Sequence, residues 1–178
     1  SFDRSRSFID GVSSFPENTN IRAMLTFRSG RQGGPPSVAD GRYIPVTIHY
    51  TLAQLPERPM ERRVADDRVG NFMTVHKDFS SLDSTFFRRY VNRWRLEPGE
   101  RVGDLRRPVE PITYYIDRTV PDEYRGWFKE AVENWNTAFE AAGWVDAIRA
   151  LDLPDDADPN DIRYSVLRWN TSDDPGYS

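Results

Sequence analysis

The stretch that most constrains this chain is Pro121 to Ala142, where large apolar residues recur at helical spacing between a proline and a glycine. Phe128, Val132, Trp135 and Phe139 follow one another at steps of four, three and four, which puts them on one helix face. Lys129, Glu130, Glu133, Asn136 and Glu140 fall mostly elsewhere. Pro121 suits a first helical position, and Asp122 and Glu123 lie in the first turn, where the macrodipole favours negative charge. Gly143 supplies the left-handed residue that ends a helix, and Trp144 is placed to close over the last turn. The spacing therefore predicts one helix over 121–142. Its four apolar residues are expected to contribute roughly 1.5 to 3 kcal/mol each on burial, and Trp135→Ala to cost about 3 to 5 kcal/mol.

Strand-like segments flank this helix. Ile112 to Asp117 is β-branched and aromatic and stops at Asp117-Arg118-Thr119, which predicts a strand over 112–117; Ile162 to Trp169 predicts another over 162–169. Upstream, Ile21, Ala23, Leu25 and Phe27 alternate with Arg22, Met24 and Thr26. Tyr43 to Leu52 is the cleanest strand: Ile44, Val46, Ile48, Tyr50 and Leu52 share one face, and Pro45 disfavours a central position at that end. Val69 to His76 reads as a strand bent at Gly70, and Phe86 to Leu96 as a strand from about Arg89. Ser1 to Asp10 reads as an arm docked by Phe2, Phe8 and Ile9. Ser29 to Gly41 and Ser80 to Thr85 read as a loop and a turn, Gln54 to Asp67 is broken by Pro56 and Pro59, and Pro98 to Pro111 reads as a connection. The expected class is α+β: an antiparallel β-rich N-terminal domain over 1–107, then a strand, long helix and strand over 108–178.

With 178 residues the chain can bury a sizeable core, and 13% aromatic residues argue against disorder. A net charge of −4 indicates no general affinity for nucleic acid or anionic membranes. There is no cysteine, which excludes disulfides and thiolate metal sites, and no apolar run approaches membrane-spanning length. Ser1 opens a polar segment, so any signal peptide is expected to lie outside this sequence.

Zinc hydrolysis needs histidines one helical turn apart and a carboxylate to take a proton from metal-bound water. The two histidines, His49 and His76, stand in separate predicted strands with no partner at helical spacing, so no catalytic or metal residue is assigned. Asp156, Asp158 and Asn160 imitate the first oxygen ligands of a calcium loop, yet Pro159 intervenes, Asp161 replaces the turn glycine and Leu167 the bidentate glutamate. An acidic loop or an Asx turn ahead of Ile162 is the simpler reading. Arg88, Arg89, Arg93 and Arg95 interleave with Phe86, Phe87, Tyr90 and Trp94; in an acidic protein this reads as an acid-paired strand face rather than a nucleic-acid surface. Serine-nucleophile, phosphate-loop and dinucleotide signatures are absent.

The segments PITYYIDRTVPDEYR, VENWNTAFEAAGW and LPDDADPNDIRYSVLRW resemble the N-terminal half of a metzincin-like zincin catalytic domain. More narrowly, they and DRSRSFID, FPENTNIRAMLTF, VTIHYTLAQLPERPM, DDRVGNF and RWRLE resemble a family of large bacterial zinc-dependent metallopeptidases, several of whose segments are catalogued only as domains of unknown function. Asn71 departs from the aromatic residue expected there. The resemblance implies a secreted or periplasmic hydrolase of peptide or protein substrates whose zinc and HExxH helix lie beyond Ser178, so that this chain carries no cofactor and no catalysis of its own. The alternative is a β-rich peptide-interaction or pro-domain-like module. In either case exposed strand edges lead us to expect self-association.

Overall fold

The computed structural model describes residues 1–30 and 41–171, so most of the loop expected at 29–41 lies outside the described residues. The chain divides into two compact units that each draw on separated segments: Ser1–Gln54, Tyr115–Val120 and Asp152–Ser178 form the first, Leu55–Tyr114 and Pro121–Leu151 the second.

In the first unit, β1 (Phe8–Ser14), β2 (Asn18–Arg28) and β3 (Tyr43–Ala53) make an antiparallel sheet in that order. β2 and β3 pair without interruption from Asn18 opposite Ala53 to Arg28 opposite Tyr43. Pro45 lies on the edge strand β3, where a missing N–H is tolerated. The expected N-terminal arm is instead a short 3-10 turn, Arg4–Arg6, followed by β1, and of its three apolar side chains Phe2 docks, its ring 5.9 Å from Phe27, while Phe8 and Ile9 are 57% and 67% exposed. Polar groups hold the arm as well. Buried Asp3 accepts from the Ser5 amide at 3.1 Å, the Ser5 hydroxyl at 2.7 Å and Arg28 Nε at 2.9 Å. Ser7 Oγ receives the Thr26 amide at 3.0 Å, and Thr26 Oγ1 donates to Arg6 O at 2.7 Å. A second polar buckle joins β2 to the loop before Ile162. Asn18 and Asn20 both donate to Asn160 O at 3.0 Å, and the Ile162 amide donates back to Asn18 Oδ1 at 3.1 Å.

In the second unit, β4 (Met73–Lys77) and β5 (Phe87–Val91) form a two-stranded ribbon, and Arg63–Ala65 runs beside β5 through Ala65 N to Arg89 O and Val91 N to Arg63 O, both 3.0 Å. The strand expected over 69–76 therefore starts four residues later, and that over 86–96 stops at Val91. The expected connection 98–111 contains a hairpin, β6 (Pro98–Val102) and β7 (Leu105–Pro108). Gly99 permits it, because a Cβ there would meet Arg107 O at 3.0 Å.

β8 (Ile112–Ile116) begins in the second unit and ends in the first. It is the middle strand of the order β10-β8-β9, with β9 at Ile148–Asp152 and β10 at Ser165–Leu167. Ile112 N donates to Ala147 O at 2.9 Å and Leu153 N to Ile116 O at 3.1 Å; the partner numbers rise together, so β8 and β9 run parallel. The strand expected over 162–169 is confined to Ser165–Leu167, since Asp161 and Arg163 engage each other in a turn that precedes it.

The helix between β8 and β9 is two segments, α1 (Asp122–Glu133) and α2 (Asn136–Ala141), rather than one over 121–142. Pro121 caps rather than opens it, and acidic residues fill the first turn. At the junction the hydrogen bonds tighten to 3-10 spacing, Trp135 N to Val132 O at 3.3 Å and Ala138 N to Trp135 O at 3.0 Å. Gly143, at φ 92°, ends α2 as expected: its amide reaches Glu140 O and the Trp144 amide reaches Phe139 O, both 2.9 Å, the Schellman pairing. The inward face is Tyr124, Phe128, Val132, Asn136 and Phe139, all half-buried. Trp135 is 63% exposed, so its expected burial and the cost attached to Trp135→Ala are corrected.

Candidate functional site

The most built-up polar cleft lies in the second unit, where α1, α2, β9 and the end of β7 meet. It measures about 580 Å³, and Arg107, Glu133, Asn136, Asp146, Ile148 and Arg149 contribute its chemistry. The helix junction explains its floor. Asn136 Nδ2 donates to Ile148 O at 2.8 Å, while its Oδ1 accepts from Ala147 N at 3.0 Å and Ile148 N at 3.2 Å. One carboxamide thus pairs with both backbone groups of Ile148, as a neighbouring strand would. Glu133 Oε1 accepts from Ala150 N at 3.3 Å. Helix side chains therefore satisfy the outer edge of β9, which would otherwise present unpaired backbone groups.

Arg107 spans the rim. Its Nε reaches Asp146 Oδ2 at 2.9 Å and its Nη1 reaches Glu100, and the Asp146 hydrogen bond pushes the guanidinium pKa up further. Asp146 stands at φ 53°, a conformation disfavoured for a side chain with a Cβ, and its pairing with Arg107 holds it there. Arg149 Nε donates to Thr113 Oγ1 at 3.0 Å. The lining combines cations, carboxylates and one amide, and the contacts they make brace the edge of β9 and the rim of the cleft.

A smaller cleft of about 200 Å³ lies beside β5, lined by Glu61, Arg62, His76, Tyr90, Asn92 and Arg93 among others. Arg62 lies over the Tyr90 ring at 5.2 Å, and the His76 ring is 6.0 Å from it. His76 is exposed opposite Arg88; His49 is exposed on β3, opposite Arg22, in the other unit. Among the described residues no group of three or more His, Asp or Glu side chains is placed to hold a metal ion.

The arginine cluster resolves residue by residue. Arg88 pairs with Asp83 at 2.6 Å and Asp78 at 3.5 Å, Arg95 pairs with Glu97 at 3.0 Å, and Arg93 donates to Glu61 O. Hydrogen bonds from Ser80 and Arg88 hold the Asp78 carboxyl below its usual range; those from Arg88 and Ser81 do the same for Asp83. In the acidic loop, Asp158 Oδ1 accepts from the Asn160 amide at 2.8 Å, an Asx turn, and Asp161 is buried against Arg163. Asn71, the odd residue after Gly70, donates to Val69 O and leaves a buried Oδ1 with no partner.

Sequence reasoning missed Glu133, Asn136 and β9. The available signal was Ile148-Arg149-Ala150-Leu151, where Ile148 and Ala150 are buried and Arg149 and Leu151 exposed; with alanine as one of two inward residues the alternation is faint.

Residues 1–99, more than half of the chain, match the family Domain of unknown function (DUF5117). The chain belongs to that family. The DUF5117 match therefore takes in β1 to β5 and the start of β6, and the cleft at Asn136 lies outside it. No curated protein and no solved structure is similar to the chain.

Proposed function

We propose that this chain is the non-catalytic N-terminal part of a secreted, bacterial zinc-dependent metallopeptidase that hydrolyses peptide or protein substrates. The observation that carries the reading is the segment from β8 to β10. Residues resembling the first strand, the helix and the second strand of a zincin fold into β8, α1 with α2, and β10, and Asn136 of the W-N-x-A-F stretch fastens the helix to β9, an intervening strand that the resemblance does not cover. In this reading the helix is a brace, and zinc, its ligands and the HExxH helix belong to sequence after Ser178. The test compares the 178-residue chain with the protein extended through what its gene encodes next. The extended form is expected to hold about one zinc and to cleave an unfolded protein in a chelator-sensitive way, and the short form to do neither. A metal-free, inert extended protein would overturn the reading.

A second reading has its own observation. β3 is an eleven-residue edge strand carrying exposed Val46, Tyr50 and Leu52. Such an edge suits addition of an extended peptide or of a second copy. Sedimentation equilibrium of the parent and of Tyr50→Lys separates the two, since a monomer in both forms leaves no role for self-association.

A further inference from the structure

The helix carries more apolar surface than its own unit covers. Trp127 is 66% exposed and Trp135 63%, and Ala131, Ala138 and Ala142 between and after them are exposed as well. Trp127 and Ala131 lie one turn apart on α1, and Trp135, Ala138 and Ala142 follow through the junction and α2 at steps of four, three and four, beside the inward face of Phe128, Val132 and Phe139. The alternation of indole and alanine leaves two anchors with shallow seats between them, a relief into which the side chains of another helix fit. Trp127 is steadied from one side by Tyr124, whose ring centre lies 5.6 Å away.

The stripe has a charged border of one sign. On its open side the stripe is bordered by Glu123 and Glu130, both exposed, whereas the helix's two cations, Arg125 and Lys129, lie beyond the inward face, half-buried and each already in an interaction. Two copies of this helix would bring acid against acid. An anionic lipid surface would meet the same repulsion.

We infer that the Trp127–Trp135 stripe is a docking surface for an amphipathic helix with an apolar face and lysine or arginine flanks. This stands independently of the metallopeptidase reading. The occupant's apolar face covers the indoles and its cations meet the glutamates, so that burial supplies affinity and charge selects the partner.

The test uses the 178-residue chain and three blocked peptides of about 18 residues, roughly five turns. One has a leucine face with lysine flanks, one the same face with glutamate flanks, and one the lysine composition scrambled so that no face is apolar. The lysine-flanked peptide is expected to bind, to shift indole emission to the blue, and to weaken as salt is raised. Trp127→Glu and Trp135→Glu are each expected to weaken it by at least about tenfold. Ala131→Arg, which keeps both indoles, replaces either variant that fails to melt like the parent. Equal affinity for the glutamate-flanked or scrambled peptide, no binding of the lysine-flanked one, or binding unmoved by these substitutions overturns the inference. So does concentration-dependent self-association that Trp135→Glu abolishes, which would make a second copy the occupant.

Discussion

The sheet β1-β2-β3 and the strand β8 are held by different physics. In the three long strands the buried residues are Asn18, Asn20, Ala23 and Thr26, so the interior of that sheet is largely polar, and its position is set by the backbone ladder and by the Asp3 and Asn160 buckles. Along β8 the buried residues are apolar in each unit, Ile112, Ala147, Ile148 and Ala150 in the second and Ile116, Val120 and Leu153 in the first, and removal of apolar surface from water stabilises them. A polar buckle is directional and fixes register; an apolar core is not directional and supplies most of the stability. Substitutions should therefore read out differently in the two places.

The largest effect is expected at Ile116, which is fully buried: Ile116→Ala should lower unfolding stability by about 2 to 5 kcal/mol in chemical denaturation, through lost transfer energy and the cavity left behind. A loss no larger than that of a surface residue would break the contrast. Next comes Asn136, the polar group that serves the apolar region. Asn136→Ala strips partners from Ala147 N, Ile148 N and Ile148 O and should cost roughly 2 to 3 kcal/mol. Amide exchange at Ile148 should accelerate selectively, an outcome that simple loss of packing would not give.

In the polar sheet, Thr26→Val keeps the shape but removes the hydroxyl that donates to Arg6 O, and a cost of about 1 to 2 kcal/mol is expected, with faster exchange confined to the N-terminal turn. A smaller, pH-dependent effect belongs to Asp3. Hydrogen bonds from Ser5 and then Arg28 hold its carboxyl below 3.8, so its ionised form is favoured by folding. Its contribution is therefore fully present above pH 3.8 and lost as pH falls through the depressed folded value. Thermal melts across that range should lose part of their acid sensitivity in Asp3→Asn. Asp161, held down chiefly by Arg163, should titrate in the same direction. The smallest effect is expected at Trp135: with most of its indole in water, Trp135→Ala should change stability by less than about 1 kcal/mol.

Trp135 also shows where periodicity misleads. The steps of four, three and four that join Phe128, Val132, Trp135 and Phe139 and the alternative that joins Phe128, Val132, Asn136 and Phe139 differ by one residue, and hydrophobicity alone selects the tryptophan. The protein turns Asn136 inward because a strand edge there needs a donor and an acceptor more than the core needs an indole. Likewise the proline-bounded stretch 98–111 conceals a hairpin whose turn rests on Gly103, at φ 61°.

By itself the sequence determined local matters: the acidic first turn and glycine stop of the helix, the strand at Tyr43 with its edge proline, the strand at Ile112, and the exclusion of thiol chemistry. These follow from residue conformations and short-range periodicity, which a single segment carries whole. The tertiary structure decided what depends on partners far along the chain. It set which helix face turns inward, that Ile148–Asp152 forms the strand parallel to Ile112–Ile116, that Asn18 and Asn20 meet the carbonyl of Asn160, and that the helix's Trp127 and Trp135 remain outside. Each of these is settled by whether a buried polar group finds its complement, and no segment holds both halves of such a pair.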